Sequence, residues 1–499
     1  MPSWKPSRRI AYAFFAVAVI LLLTGARRRP LSLKENIDRE IATSSAIRSA
    51  YLGMQVSRLS DGKVLYQRNP GHLFVPASNT KLFTTALALT RLGPDYRFVT
   101  TVVADHGDLI LIGGGDPSLS ARTYPYSTDP TTGDPLKPIE DLADQVVAGG
   151  LKSVQGNVVG DDSRYPWAPY ADGWNSADEL WEYGAPVSAL MINDNRLDLT
   201  IAPGNAEGEL AHLTLTPQFE FMHIDNRVRT VSAGAVNTHI GGSMDARQLQ
   251  VWGTIPLGGA ADQDPLAISD PALFAAALLR DALIRRGVNV SGPAVARHRY
   301  LDDIADPERG DPPPAPAPGT ELARRLSPPL SELLQVVNKV SQNLHAEVML
   351  REVGAARRNI GTAAAGLAEL HDFLAEIAIP DDEYEFVDGS GLSRGTLVEP
   401  QAIVKLLQYM WNSPNREAWV GLLPVGGQDG SLRKRFKDHP EAARIHAKTG
   451  SLSHVRALSG YAQMSHGGTV AFSILLNNYL APDADVARFL DNIGLKLLR

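Results

Sequence analysis

The strongest constraint on how this chain folds is a change of texture along it. Segments patterned as helix and strand at both ends enclose residues 96–299, where short β-type runs alternate with Gly, Asp and Pro. Before that stretch, Ile37, Ile41 and Ile47 among charges predict a helix within residues 31–49, and a hairpin of 50–59 and 63–67 follows, turning at Ser60-Asp61-Gly62. Leu82, Phe83, Ala86, Leu87 and Leu89 then predict a helix that starts at or just after Pro76 and stops at Gly93-Pro94. After the stretch, Leu333, Leu334, Val337, Val340, Leu344 and Val348 predict helix from Pro328, and the chain reads as α-rich to Ser413. Strands are expected at 444–449, 457–464 and 469–477, with a closing helix at 484–498. The early hairpin, the late strands and the two terminal helices can share one sheet, which leaves the middle as an insertion; a long excursion of this kind adds little loop-closure entropy. Inside it a strand at 109–112 and one helix, 271–286, are expected, and the proline-rich residues 307–318 read as a semi-rigid exposed linker.

Composition narrows the chemistry. With 499 residues and 44 % apolar content the chain can bury more than one core. Its 48 basic and 55 acidic residues give a net charge of −7, which provides no electrostatic footprint for nucleic acid. Cysteine is absent, so disulfides, thiolate nucleophiles and thiolate zinc sites are excluded. At the N-terminus Lys5, Arg8 and Arg9 precede an apolar run of about fourteen residues, shorter than the ~20 that span a bilayer comfortably. Residues 1–26 therefore read as a signal peptide or membrane anchor, and the rest of the chain as extracytoplasmic.

Three short patterns carry reactive groups. In Ser78-Asn79-Thr80-Lys81 a serine and a lysine lie one turn apart at the start of a helix, so the amine can take the hydroxyl proton while the helix N-terminus faces the charge that develops on the attacked carbonyl. Ser60 to Lys63 and Ser431 to Lys434 share the spacing, but the first is a hairpin turn and the second a glycine-flanked polar loop; Ser78 alone opens a long apolar helix. A serine there can equally be a helix cap. Lys448-Thr449-Gly450 lies on a β-run whose glycine permits close approach of a ligand; Lys448 offers positive charge and Thr449 a hydroxyl to a terminal carboxylate, although an edge lysine also serves to block strand addition. Ser341-Gln342-Asn343 sits at a break between helical stretches and pairs a hydroxyl with an amide. Ser413-Pro414-Asn415 has the same spacing, and chain order favours Ser341.

S-x-x-K, S-x-N and K-T-G in this order resemble the penicillin-binding protein and serine β-lactamase superfamily. The long insertion after Lys81 is similar to the class C low-molecular-mass penicillin-binding proteins, the D-alanyl-D-alanine carboxypeptidase/endopeptidase family. Gly114-Gly115-Asp116-Pro117, Asn193-Asp194-Asn195, Asp388-Gly389-Ser390-Gly391-Leu392-Ser393-Arg394, Asp429-Gly430-Ser431-Leu432 and His446-Ala447-Lys448-Thr449-Gly450-Ser451 support the resemblance. It implies an α+β chain: a β-lactamase/transpeptidase-like catalytic domain at 30–97 and 300–499, an inserted second domain at 98–187 and 260–299, and a nested third at 188–259. It also implies Ser78 as nucleophile, Lys81 as base, Ser341, Asn343 and Lys448 as their catalytic partners, and Thr449, Gly450 and Ser451 on the substrate, with Ser451 sharing the oxyanion site. In that role Lys81 must be neutral, and the charge of Lys448 together with partial burial is expected to lower its pKa. Asp161, or Asp162 beside it, would face the free amino group of the substrate, although a turn aspartate explains the same position. The substrates implied are peptidoglycan stem peptides, the inhibitors β-lactams, and the reaction needs no cofactor or metal.

Other readings are weaker. Gly391-Leu392-Ser393-Arg394-Gly395 matches the G-x-S-x-G elbow, but turn-like residues precede it instead of a buried strand. No H-E-x-x-H motif occurs. Nothing in the sequence marks a carboxylate for the fast deacylation of a β-lactamase, and the alternative from another class is a non-catalytic peptidoglycan-binding or β-lactam-sensing protein.

Overall fold

The computed structural model describes residues 31–129, 133–218, 222–243, 248–311 and 319–499. The signal or anchor expected at 1–26 and most of the proline-rich stretch lie outside them.

The chain's two ends build one five-stranded antiparallel sheet in the order Ile445–Leu452, Val455–Gln463, Thr469–Asn477, Tyr51–Arg58, Val64–Arg68. The strand Thr469–Asn477 is apolar almost throughout because both of its faces are covered. On one face, Met54, Val56, Leu458, Phe472 and Ile474 pack with Ile37 of the helix Leu33–Thr43 and with Val486, Phe489 and Ile493 of the closing helix Asp483–Leu497. The first of these helices starts at a capping box formed by Ser32 and Glu35. The second face takes Thr80–Leu92 and Pro400–Asn412, whose Leu82, Phe83, Leu87, Ile403 and Leu407 merge with Leu333, Val337 and Leu350 of an all-helical layer. Ile445–Leu452, the strand bearing Lys448, is an edge strand.

The middle of the chain forms a second five-stranded sheet, in the order Ala294–Arg297, Val158–Asp161, Asp108–Ile112, Val99–Asp105, Thr320–Leu326. Two helices cover it, where one was expected: Pro271–Arg285 and also Lys137–Ala148. The second is legible in Ile139, Leu142, Ala143 and Val146, which recur at helical spacing and are buried. The sheet reaches past the expected 98–187 and 260–299, because Thr320–Leu326 returns to pair with Val99–Asp105. Two three-stranded sheets lie farther into the insertion, and their shared core includes Leu199, Ile201, Val228 and Val251. They extend beyond the expected 188–259, since Asp262–Ala267 pairs with Arg196–Ala202. Of the proline-rich stretch, the described part is docked: Gly310 N–H donates to the Arg358 carbonyl at 2.8 Å.

Candidate active site

Ser78 lies in a one-turn 3₁₀ helix, Ala77–Asn79, that runs directly into Thr80–Leu92. Ala77 holds a left-handed φ of 48°, rare for a residue with a Cβ, and the turn is trapped on two sides. A Cβ on Gly391 would stand 2.0 Å from the Ala77 carbonyl oxygen, and one on Gly450 2.6 Å from that of Pro76. Glycine at these two positions thus lets a loop and the edge strand close on the serine. Below it, Asn79 Nδ2 donates to Ser459 Oγ at 2.7 Å and ties the helix start to the sheet.

Ser78 is half-buried and Lys81 fully buried. Lys81 Nζ lies 2.9 Å from Ser78 Oγ, 2.6 Å from Asn343 Oδ1 and 2.7 Å from the carbonyl oxygen of Ser390. Ser341 adopts a left-handed φ of 70° between the helices Leu330–Lys339 and Asn343–Arg358. Gln342, the variable middle of that motif, caps the second helix by accepting from Leu344 N–H at 2.8 Å. Lys448 Nζ donates to Ser341 Oγ at 2.7 Å and to the Thr449 carbonyl at 2.8 Å. Thr449 Oγ1 donates to Ser431 Oγ at 2.7 Å, so the serine of one competing S-x-x-K match touches the site as a partner of Thr449, while its lysine, Lys434, is exposed. The other match, Ser60 to Lys63, is exposed throughout. Ser393 of the apparent elbow is buried and accepts from Gly395 N–H at 3.1 Å within a turn.

Residues 424–426 cover the outer edge of Ile445–Leu452 at its start through Gly426 N–H to Ile445 O and Ala447 N–H to Pro424 O, both 2.9 Å. Past Lys448 the strand runs beside the Ser78 turn, with Ser451 exposed.

Burial pushes the Lys81 amine down from the usual lysine range to about 7, against the opposing pull of the Asp388 and Glu347 carboxylates. Burial is complete where partial burial was expected, and it leads the shift. Lys448 is held well below its usual range by burial first and by Lys81 second.

Several participants carry no sequence motif. Glu347, one turn beyond Asn343 on the same helix face, accepts from Gly389 N–H at 2.8 Å and from Arg351 at 3.1 Å. Asp388 and the Ser390 carbonyl come from the Asp-Gly-Ser-Gly stretch noted for its likeness alone. From the insertion, Asp194 accepts from Arg122 Nε at 2.7 Å and lies 2.9 Å from His345 Nε2, which anchors the helix that presents Asn343. Asn343 Nδ2 donates to the Tyr183 carbonyl at 2.8 Å, and Tyr183 Oη to Asp178 at 3.0 Å. Asp161 lies in a turn at the end of the inserted sheet, where its carboxylate accepts from Ser163 N–H at 3.0 Å and from Arg297 at 3.2 Å. Asp162 is buried against Ser188 and His298.

An α+β fold that sets a serine beside a buried lysine of lowered pKa at a helix start, next to an edge strand, is that of the penicillin-binding and β-lactamase type of serine hydrolase. Within that class the chain belongs to the D-Ala-D-Ala carboxypeptidase 3 (S13) family, whose profile matches residues 33–492. It is 33 % identical over 474 residues to a D-alanyl-D-alanine carboxypeptidase of Actinomadura sp. strain R39, covering 91 % of this chain and 82 % of the relative. It is 26 % identical over 476 residues to penicillin-sensitive carboxypeptidase A of Dictyostelium discoideum, covering 87 % of this chain and 84 % of the relative. The crystal structure of penicillin binding protein 4 from Haemophilus influenzae has the same fold, with a TM-score of 0.78 at 22 % identity over 93 % of this chain and 99 % of that one.

Proposed function

We propose that Ser78 is the acyl-bearing nucleophile through which this chain, a serine D-alanyl-D-alanine carboxypeptidase, cleaves peptidoglycan stem peptides in the cell envelope. The observation that carries the assignment is Lys81: a buried amine 2.9 Å from Ser78 Oγ whose pKa is held at about 7. Neutral Lys81 takes the Ser78 hydroxyl proton as Oγ attacks the carbonyl between the two D-alanines. The negative charge on the tetrahedral oxygen is held by the backbone N–H groups of Ser78 and Ser451, where one donor is worth roughly 3 kcal/mol in other serine enzymes.

As the carbon–nitrogen bond breaks, the proton passes from Lys81 through Ser341 to the leaving amine of D-alanine. Asn343 steadies both lysine and substrate. Water then attacks the ester, Ser78 recovers its proton, and the shortened peptide leaves. Lys448 and Thr449 receive the terminal carboxylate, with Gly450 leaving the strand open to it. Burial and the neighbouring Lys81 hold Lys448 below the usual lysine range, and a substrate carboxylate beside it favours its charged form.

Of the acids in the insertion, hydrogen bonds join Asp178 to the site through Tyr183 and Asn343, which favours it over Asp161 for meeting the substrate's free amino group. Endopeptidase action on cross-linked peptides is the same reaction with a larger leaving amine. β-Lactams acylate Ser78 and leave slowly, and a non-catalytic binding role is disfavoured by a complete set of reacting groups. Release of D-alanine from a stem peptide ending in D-Ala-D-Ala, present in the wild type and lost in Ser78→Ala, tests the assignment; equal release by both variants would overturn it.

A further inference from the structure

A neutral amine has two N–H bonds and one lone pair, yet Lys81 Nζ has three oxygen neighbours: Asn343 Oδ1, the Ser390 carbonyl and Ser78 Oγ. The first two have no proton to give, so they can only accept. Once they hold both N–H bonds, the lone pair has one direction left, toward the Ser78 hydroxyl. The Ser390 carbonyl is therefore as much a part of the base as Asn343, and its placement depends on the loop that carries it.

That loop is built around Asp388, whose side chain is fully buried. Its Oδ2 accepts from Ser393 N–H at 2.9 Å, Ser390 Oγ at 3.1 Å and Trp174 Nε1 at 3.2 Å, and its Oδ1 from Thr396 Oγ1 at 2.8 Å. Both carboxylate oxygens accept, and these four donors divide three on Oδ2 and one on Oδ1. Thr84, one turn after Lys81, donates to the Gly389 carbonyl at 2.6 Å, and Glu347 accepts from Gly389 N–H at 2.8 Å, so the residue just before Ser390 is held through both its N–H and its carbonyl. Trp174 belongs to the insertion, and a Cβ on its neighbour Gly173 would stand 2.4 Å from Ser393 Oγ.

We propose that Asp388 is a positioning residue of acyl transfer: it holds the Ser390 carbonyl on Lys81, aims the neutral amine's lone pair at Ser78, and through Trp174 joins the inserted region to the catalytic base. The inference rests on the assignment of Ser78 and Lys81 made above. The charged groups facing Lys81 are Asp388 from the loop, Glu347 from the helix Asn343–Arg358 and Lys448 from the edge strand. Removing the Asp388 charge therefore has a signature that loosened packing lacks, a move of the acidic limb of acylation to lower pH.

The test compares wild type, Asp388→Asn and Thr396→Val by their second-order acylation rate with a fluorescent penicillin from pH 5 to 9, with circular dichroism as a check of folding. Asp388→Asn presents an N–H₂ to donors and should acylate on the order of 10²-fold more slowly, the scale of a misplaced catalytic group, with its acidic limb displaced downward. Thr396→Val removes one donor and no charge, and should slow acylation by about tenfold with the limb unmoved. Folded variants with wild-type rates and limbs, or a lower melting temperature alone, would overturn the inference. Should Asp388→Asn not fold, Thr396→Val and Ser390→Ala decide it, and wild-type rates in both would refute it. A wild-type protein that forms no adduct on Ser78 brings down the functional assignment and this inference together; a labelled wild type with unaffected variants brings down the role of Asp388 alone.

Discussion

Acylation of Ser78 should slow by about tenfold for each pH unit below 7, because only the neutral form of Lys81 can accept the hydroxyl proton. An ordinary lysine with its pKa near 10.4 would be neutral in roughly one molecule in 10³–10⁴ at pH 7, whereas Lys81, lowered to about 7 by burial against the pull of Asp388 and Glu347, is neutral in a large share of molecules. The gain in competent enzyme is about three orders of magnitude. The assay is the apparent second-order rate constant for a fluorescent penicillin at constant ionic strength from pH 5 to 9. The rate at pH 5 should be on the order of one hundredth of the plateau. A flat profile down to pH 5, or a limb centred above pH 9, would refute the reasoning, since the lysine would then be either uninvolved or unperturbed.

The same group sets a stability prediction. Unfolded Lys81 keeps its proton to about pH 10.4 and the native amine releases it at about 7, so across that window the unfolded chain binds more protons and stability rises with pH. Below the window the cost of burying the charged amine stands at full size, ~1.4 kcal/mol for each pH unit the window spans. Lys81→Met should therefore lose acylation while its denaturation midpoint at pH 7 rises; a fall in midpoint would show that the amine's hydrogen bonds outweigh its desolvation. Asp194→Ala strips the partner from Arg122 and His345 and should cost about 3–5 kcal/mol, the scale for breaking a buried ion pair; an unchanged urea midpoint would contradict it. Gly450→Ala places a Cβ 2.6 Å from the Pro76 oxygen and 3.0 Å from Ala457 Cβ, so it should cost about 1–3 kcal/mol and slow penicillin labelling by pushing the edge strand off Ser78. Labelling at the wild-type rate would show that the strand moves without consequence.

What can be read from the sequence is the chemistry written in contiguous residues. Ser78 with Lys81, Ser341 with Asn343, and Lys448 each sit in a short pattern, and the structure brings all five together. The shared sheet is legible because Thr469–Asn477 is apolar almost throughout, as a strand buried on both faces must be, and because Leu52, Met54 and Val56 alternate along Tyr51–Arg58 beside it. Asp388 and Glu347 are not legible as parts of the site, because they act through a backbone carbonyl and through their charge across more than forty residues of chain. The cause of the low Lys81 pKa is hidden for a related reason: a second lysine is visible in a sequence, whereas complete burial is not. Lys137–Ala148 shows helical spacing in Ile139, Leu142, Ala143 and Val146 despite the Gly- and Pro-rich texture around it, whereas the place of strand Thr320–Leu326 is hidden because only pairing reveals which sheet it joins.

The central claim is that Ser78 forms the acyl-enzyme, and covalent labelling tests it most directly. The purified protein and its Ser78→Ala variant are incubated with a fluorescent penicillin, digested, and the modified peptide is sequenced by mass spectrometry. An adduct on Ser78, absent from the variant while circular dichroism shows both folded, is the predicted result. An adduct on another residue, or equal labelling of the two proteins, would contradict the account.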